Sequence, residues 1–299
     1  MSSAVTGGLQ LSSNELAGKV CMVTGANSGI GKATAMELAR MGGKTVMVCR
    51  SREKGEHAMI DIKTKSGSDS VELLIADFAS LHSVRQLVQE FAREHDRLHV
   101  LVNNAGLFRL RRTVTGDGFE TTFQVNYLSH FLLTNLLMGL LKKSAPSRIV
   151  SVSSVAHYGG HIDFDDLQGE RGYGGWRAYS QSKLAQVLFT HELARRLSGT
   201  DVTANCLHPG AIATNIWGNA AGRARVLTKV VRLFMAGPQK GAETSVYLAS
   251  SPEIAGVSGE YFEKKRAKKS STESYDEHVA ERLWDASADL TNLDSSPAS

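Results

Sequence analysis

Tyr179 and Lys183 stand four residues apart in a stretch with helical spacing, which puts a phenol and an ammonium on one helix face. A phenol titrates near about 10, roughly three pH units too high for a useful base at neutrality. A neighbouring cation favours the phenolate and brings the pair within range of proton transfer. Ser154 precedes them across a loop and offers a hydroxyl that can hydrogen-bond a reacting oxygen. Tyr-x-x-x-Lys by itself is common by chance. Its weight comes from its place after the fifth of a series of strands.

Those strands are apolar runs at 19–24, 44–50, 71–76, 98–102, 148–152, 202–207 and 259–262. They are short, rich in Val and Ile, and mostly apolar on both sides, as a parallel sheet covered on both faces requires. Between them, 30–41, 52–65, 81–95, 118–143, 177–197 and 241–250 repeat apolar residues at three- and four-residue spacing. Alternation over the whole length predicts an α/β fold. It is a single-domain doubly wound parallel sheet of Rossmann type, with about seven strands and helices on both faces. The domain is expected over 15–288, with a substrate-loop insertion at 211–238. The polar, Ser-rich ends at 1–14 and 289–299 are expected to be flexible.

Between the first strand and first helix lies Thr24-Gly25-Ala26-Asn27-Ser28-Gly29-Ile30-Gly31. Glycines there let the backbone approach a pyrophosphate, and the helix that follows offers unpaired N–H groups and its positive dipole end. Dinucleotide binding is expected at Gly25, Asn27, Ser28, Gly29, Ile30 and Gly31. The second strand ends at Cys49-Arg50-Ser51 rather than at the acidic residue that would hold a ribose 2′-hydroxyl. The planar fork of Arg50 fits a 2′-phosphate, so NADP(H) is favoured over NAD(H). Asp77, ending the third strand, can hold an adenine amino group or cap the helix that starts near Ser80. Asp77 and its neighbour Phe78 are both counted toward the cofactor.

With Asn103-Asn104-Ala105-Gly106, Val152-Ser153-Ser154, Tyr179-Ser180-Gln181-Ser182-Lys183 and Pro209-Gly210, the chain resembles the short-chain dehydrogenases/reductases over about residues 17–262. The resemblance implies a tetrad of Asn126, Ser154, Tyr179 and Lys183. Ser154 would align the substrate oxygen, Lys183 would also bind the nicotinamide ribose, and Asn126 would support a water leading to Lys183. Ser153 competes with Ser154, which fills the second serine of the family motif. The resemblance also implies that Asn103, Ala105 and Gly106 line the cofactor, with Pro209, Gly210 and Thr214 near the nicotinamide. Within the family, Val48-Cys49-Arg50, Gly118-Phe119-Glu120, the run from Val125 through Asn126 to Thr134, Phe164-Asp165-Asp166-Leu167 and Leu207-His208-Pro209-Gly210 are similar to the retinol dehydrogenase-like branch. That branch prefers NADP(H) and handles retinoids and other apolar aldehydes or alcohols. Its membrane-anchored members begin with a hydrophobic segment, whereas the first eighteen residues here are Ser-, Gly- and Thr-rich. A homodimer or tetramer through the helices at 118–143 and 177–197 is implied as well.

Loops leaving the carboxyl ends of the strands carry Leu107, Phe108, Ile212, Ile216, Trp217, Leu227, Val231, Phe234 and Met235. They predict an apolar small-molecule pocket, although packing onto the body accounts for some of them. Three basic clusters leave the same edge: Arg109, Arg111 and Arg112; Arg223, Arg225, Lys229 and Arg232; Lys264, Lys265, Arg266, Lys268 and Lys269. They are ordinary solvated loops or a peripheral contact with an anionic membrane. No aromatic-interleaved groove points to nucleic acid. Cys21, Cys49 and Cys206 lack metal-ligand spacing and read as buried thiols in a reducing cytoplasm; no metal is expected. His157, sited to touch substrate, and His191 and His208 read as polar packing. Composition fits a soluble globular protein, with 42% hydrophobic and 21% charged residues over 299. The alternatives to a retinal/retinol-like oxidoreductase are a steroid or other secondary-alcohol dehydrogenase and a non-catalytic NADP-binding sensor.

Overall fold

The computed structural model describes residues 14–210 and 237–293. The amino-terminal segment, most of the insertion with Thr214 and its apolar residues, the Arg223–Arg232 basic cluster, and the tail beyond 293 lie outside the described residues. From the amino end the chain forms β1 (Val20–Thr24), α1 (Gly29–Arg40), β2 (Lys44–Cys49), α2 (Arg52–Ser66), β3 (Val71–Ile75), α3 (Leu81–Glu94) and β4 (Val100–Asn103). Then come α4 (Thr121–Phe123), a π-helical turn (Gln124–Leu128), α5 (Ser129–Leu136), α6 (Met138–Lys143), β5 (Ser147–Val152), α7 (Gly175–Arg196) and β6 (Val202–His208). The last elements are α8 (Pro238–Ser250), β7 (Tyr261–Glu263), β8 (Arg266–Lys268) and α9 (Glu277–Thr291).

The strands form one sheet in the order β3-β2-β1-β4-β5-β6-β7-β8. All neighbours are parallel except β8, which turns back on β7. The central strands are buried on both faces, so each apolar run reads as continuous. One face packs on α1, α2 and α8. The other packs on α3, α5, α6, α7 and α9. The chain reverses its walk across the sheet between β1 and β4, which pair directly. The carboxyl ends of those two strands therefore form the crevice where ligands of such sheets bind.

Three elements differ from the sequence reading. The segment 118–143 is not one helix. Gly118 has φ +88° in a turn, and the Glu120 carboxylate caps Thr122 and Phe123 N–H at 2.9 and 2.7 Å, so helix starts only at Thr121. A second, one-residue break follows α5 at Leu137, whose N–H still bonds the Leu133 carbonyl at 3.0 Å. The edge strand β8 is all charge and Ala, exposed at each of its three residues, and has no apolar alternation to announce it; such charge guards a sheet edge.

The third difference is α9, which carries ordered helix to Thr291, past the boundary expected at 288. Asp276 caps its start, Leu283 and Ala280 are buried, and Trp284 stacks on Phe189 at 5.7 Å and meets Phe131 edge-on at 5.0 Å. It thus lies on the α5 and α7 helices through which pairing with another copy is implied. Among the described residues no helix is long and apolar enough to cross a membrane.

Candidate active site

At the β1 end, Gly25 and Gly29 take φ of +68° and +57°, which favours glycine. A Cβ on Gly25 would sit 2.9 Å from Ala105 Cα, and one on Gly31 would sit 2.5 Å from the Gly25 carbonyl oxygen. The turn is therefore closed against the loop after β4, with space only for backbone. Thr24 ties the two together. Its Oγ1 accepts from Asn104 and Ala105 N–H, both at 2.9 Å, and its carbonyl accepts from Asn104 Nδ2 at 2.7 Å. Helix α1 is preceded by Ser28 at its N-cap, whose side chain makes no cap bond, and has no acidic residue in its first turn. Open N–H groups and an uncompensated dipole at a glycine cradle fit a dinucleotide pyrophosphate.

The other cofactor candidates fall into two groups. Arg50 is exposed immediately after β2, at the crevice end of the sheet. The Asp77 carboxylate accepts from Ala79 N–H at 3.0 Å, while Ser80 caps α3. Phe78 is buried against the His130 ring at 4.9 Å, and its carbonyl accepts from Ser129 Oγ. Asn103 turns its carboxamide into the core, where Nδ2 donates to Thr134 Oγ1 at 2.9 Å and Oδ1 has no partner. Only its backbone faces the loop that reaches Gly106. Pro209 and Gly210 follow β6, Gly210 with φ +91°, and are half-buried.

Tyr179 and Lys183 lie on the buried face of α7, 7% and 4% exposed. The helix is held close because Gly175 packs on Arg109; a Cβ there would come 2.4 Å from its carbonyl oxygen. Phe108 meets the Tyr179 ring edge-on at 5.6 Å and Trp176 lies 6.0 Å away, giving the phenol an apolar rim. Burial raises the Tyr179 pKa, and a hydrogen bond with Ser154 opposes it. Lys183 Nζ is 5.6 Å from the Tyr179 ring centroid. It donates to the Val152 carbonyl at 3.0 Å and to Gln186 Oε1 at 2.9 Å. Burial pushes this ammonium down to about 7. Of the two candidate serines, Ser153 donates its Oγ hydrogen to the Lys183 carbonyl at 2.8 Å.

Asn126 sits in the π-helical turn. Its Oδ1 accepts from Leu107 N–H at 2.8 Å, and its Nδ2 donates to the Leu107 carbonyl and to Ser182 Oγ, both at 3.0 Å. A Cβ on Gly106 would come within 3.3 Å of Asn126 Oδ1 and 3.7 Å of Lys183 Nζ, so Asn126, Gly106 and Lys183 are neighbours. An inserted π turn is a recurrent way of aiming a functional side chain.

His130, only 2% exposed, is a partner that spacing did not reveal. Its Nδ1 faces the Asn126 carbonyl at 3.0 Å and its Nε2 faces Thr24 Oγ1 at 3.0 Å. A carbonyl only accepts, so Nδ1 carries the proton and Nε2 accepts from Thr24. Burial is the main cause that pushes the imidazole down to about 4, and it stays neutral. The three named histidines pack as expected. His157 is fully buried between the Ser154 carbonyl at 2.7 Å and Ser271 N–H at 3.2 Å. His191 Nδ1 bonds the Ser274 carbonyl, and His208 is buried at the end of β6. The cysteines are free and buried, and no metal cluster exists among the described residues. A cavity of about 640 Å³ lined by Lys19, His99, Arg148 and Thr203 opens at the amino ends of the strands, the opposite edge from Tyr179.

Comparison with known proteins agrees with this geometry. The short chain dehydrogenase family matches residues 19–223. Retinol dehydrogenase 13 of Homo sapiens is 48% identical over 297 residues, covering 97% of this chain and 89% of that protein. Retinol dehydrogenase 14 of Mus musculus is 49% identical over 294 residues, covering 92% and 86%. Among solved structures, an uncharacterized protein from Mycobacterium Paratuberculosis has a TM-score of 0.76 at 35% identity, covering 93% of this chain and 95% of that one. A Beutenbergia cavernae protein described as an NAD(P) dependent gluconate 5-dehydrogenase with bound NADP has 0.67 at 28%, covering 83% and 95%. A glycine cradle at the β1–β4 crevice and a Tyr–Lys pair on α7, together with these likenesses, establish that the chain belongs to the short-chain dehydrogenase family, oxidoreductases that bind a nicotinamide cofactor.

Proposed function

We propose that the protein interconverts apolar aldehydes or ketones and their alcohols, retinal/retinol-like in kind, with NADP(H) as cofactor and Tyr179 as acid–base. The observation that carries the reading is the buried Tyr179 hydroxyl, hydrogen-bonded to Ser154 and sharing a helix face with Lys183. When bound, the nicotinamide supplies or takes a hydride. In the oxidising direction the Tyr179 phenolate accepts the proton of the substrate hydroxyl; in the reducing direction the phenol returns it to the carbonyl oxygen. Ser154 aligns that oxygen. The Lys183 ammonium stabilises the phenolate and holds the nicotinamide ribose. Asn126 supports the water through which Lys183 exchanges protons. Gly25, Asn27, Ser28, Gly29, Ile30 and Gly31 hold the pyrophosphate, and Asp77, Phe78, the Asn103 backbone, Ala105 and Gly106 line the adenosine and ribose path. Pro209 and Gly210 would line the nicotinamide, as would Thr214, which lies outside the described residues.

Arg50 in place of an acid supports NADP(H), and NADP is the molecule bound in the Beutenbergia cavernae protein. The Phe108 and Trp176 rim, with relatives named retinol dehydrogenases, supports an apolar substrate. A panel of retinal, aliphatic and aromatic aldehydes and ketosteroids, each with NADPH and NADH, tests this. Turnover of retinal or long aliphatic aldehydes with NADPH is expected; ketosteroids alone make it a secondary-alcohol dehydrogenase, and cofactor binding without turnover makes it a sensor.

The catalytic edge also carries a surface suited to peripheral contact with an anionic membrane. Leu110 and Trp176 are 72% and 54% exposed, Leu110 is flanked by exposed Arg109 and Arg111, and Lys264 is exposed after β7. Lys264 and Lys265 occupy the β7–β8 turn with φ of 52° and 63°, a left-handed pair that costs about 1–2 kcal/mol per residue yet holds two cations at the rim. Binding to vesicles containing phosphatidylserine is expected, lost in high salt and weakened by Lys264→Glu with Arg111→Glu. Equal sedimentation with neutral vesicles would rule the contact out. A homo-oligomer through the helices at 118–143 and 177–197 has only the surface that α9 leaves uncovered.

A further inference from the structure

We propose that Gln186, one turn beyond Lys183 on α7, is a positioning residue that holds the Lys183 ammonium in place through its side-chain carbonyl. The inference rests on Tyr179 and Lys183 acting as proposed above. Gln186 is 2% exposed, and its Oε1 accepts from Lys183 Nζ at 2.9 Å. The Val152 carbonyl takes a second N–H at 3.0 Å. Two of the three ammonium donors are thereby committed to oxygens of fixed position, one on β5 and one on α7. The third is left for ligands on the Gly106 and Tyr179 side.

Gln186 serves this contact at a cost to the fold. Its Nε2 is buried without a hydrogen-bond partner, and an orphaned amide donor destabilises the folded chain. A methionine or leucine of similar volume would fill the site with no polar debt. An amide kept at a buried position where an apolar side chain would be more stable marks a function the amide performs.

The chemistry of that function follows from the surroundings of the ammonium. The titratable groups facing Lys183 are Tyr179 on its own helix and His130 on α5, which is neutral. Strand β5 presents the Val152 carbonyl, the π turn presents Asn126, and the loop after β4 presents Gly106. No carboxylate among these offsets the burial that draws the lysine down to about 7. Two carbonyl oxygens are what favour its charged form. A charged Lys183 favours the Tyr179 phenolate, so the Gln186 carbonyl, by holding the ammonium, works against the burial that raises the phenol pKa.

Gln186→Met and Gln186→Leu test this through the pH profile of kcat/KM for alcohol oxidation, read beside thermal stability. Loss of the carbonyl lowers the lysine pKa, weakens the cation beside Tyr179 and raises the phenol pKa. The acid limb is expected to move alkaline by roughly one pH unit, about a tenfold loss at neutrality, with the high-pH plateau retained and Tm unchanged or higher. An unmoved limb overturns the proposal whatever happens to Tm. So does unfolding of both variants, since an apolar side chain is expected to be tolerated. Activity that survives in Tyr179→Phe would instead sink the underlying reading, a separate and distinguishable failure.

Discussion

Tyr179→Phe is expected to lower kcat with NADPH and an apolar aldehyde by about 10²–10⁴-fold while leaving the fold and cofactor affinity intact. The ring stays, so its edge contact with Phe108 at 5.6 Å and its place under Trp176 are kept. Only the hydroxyl that bonds Ser154 is removed. A transition-state contribution lost without ground-state binding lowers kcat and kcat/KM together. Single-turnover kinetics with tryptophan-quench titration of NADPH measure both sides. If the variant turned over at even a third of the wild-type rate, the acid–base would have to be another group, and neutral His130 and His157 are poorly placed to supply it. Both have their ring nitrogens engaged within the protein.

Arg50→Asp is expected to change the cofactor rather than the chemistry. Loss of a charge-assisted bond to a 2′-phosphate removes about 1.5–3 kcal/mol, so kcat/KM for NADPH should fall by roughly 10- to 100-fold. The carboxylate at the end of β2 would accept from ribose hydroxyls and repel the phosphate, so kcat/KM for NADH should rise. The position is exposed and follows the last ladder residue, Cys49, so stability is expected to stay within about 0.5 kcal/mol. An unchanged NADPH-to-NADH ratio would show that Arg50 does not face the adenine ribose.

The parts of this protein legible in its residues are those set by local rules. The cradle from Gly25 to Gly31 is written in residue type, because only glycine accepts the φ of +68° and the 2.5 Å approach found there. Tyr179 and Lys183 share a face because four residues make about one helical turn. Seven of the strands announce themselves through short apolar runs, which in the central strands are buried on both sides. Gln186, by contrast, has a meaning only once α7 packs over β5 and brings the Val152 carbonyl to the same ammonium. His130 gains its role when the β1 end, the π turn and α5 meet.

The same holds for whole elements. Nothing in Arg266-Ala267-Lys268 distinguishes a strand from a charged loop until β7 offers its edge. Helix α9 has a modest apolar stripe whose value depends on Phe131 and Phe189 being left to cover. Within 118–143 the periodicity is continuous, and the late helix start comes from the Glu120 carboxylate, which caps Thr122 and Phe123 N–H. Residue types and spacing thus determined the sheet, the cradle and the Tyr–Lys pair, because backbone sterics and helical pitch act between neighbours in sequence. Tertiary structure decided the distant partners of Lys183, Asn103 and Asn126, because Val152, Thr134, Leu107 and Ser182 lie 19 to 56 residues away on other parts of the fold.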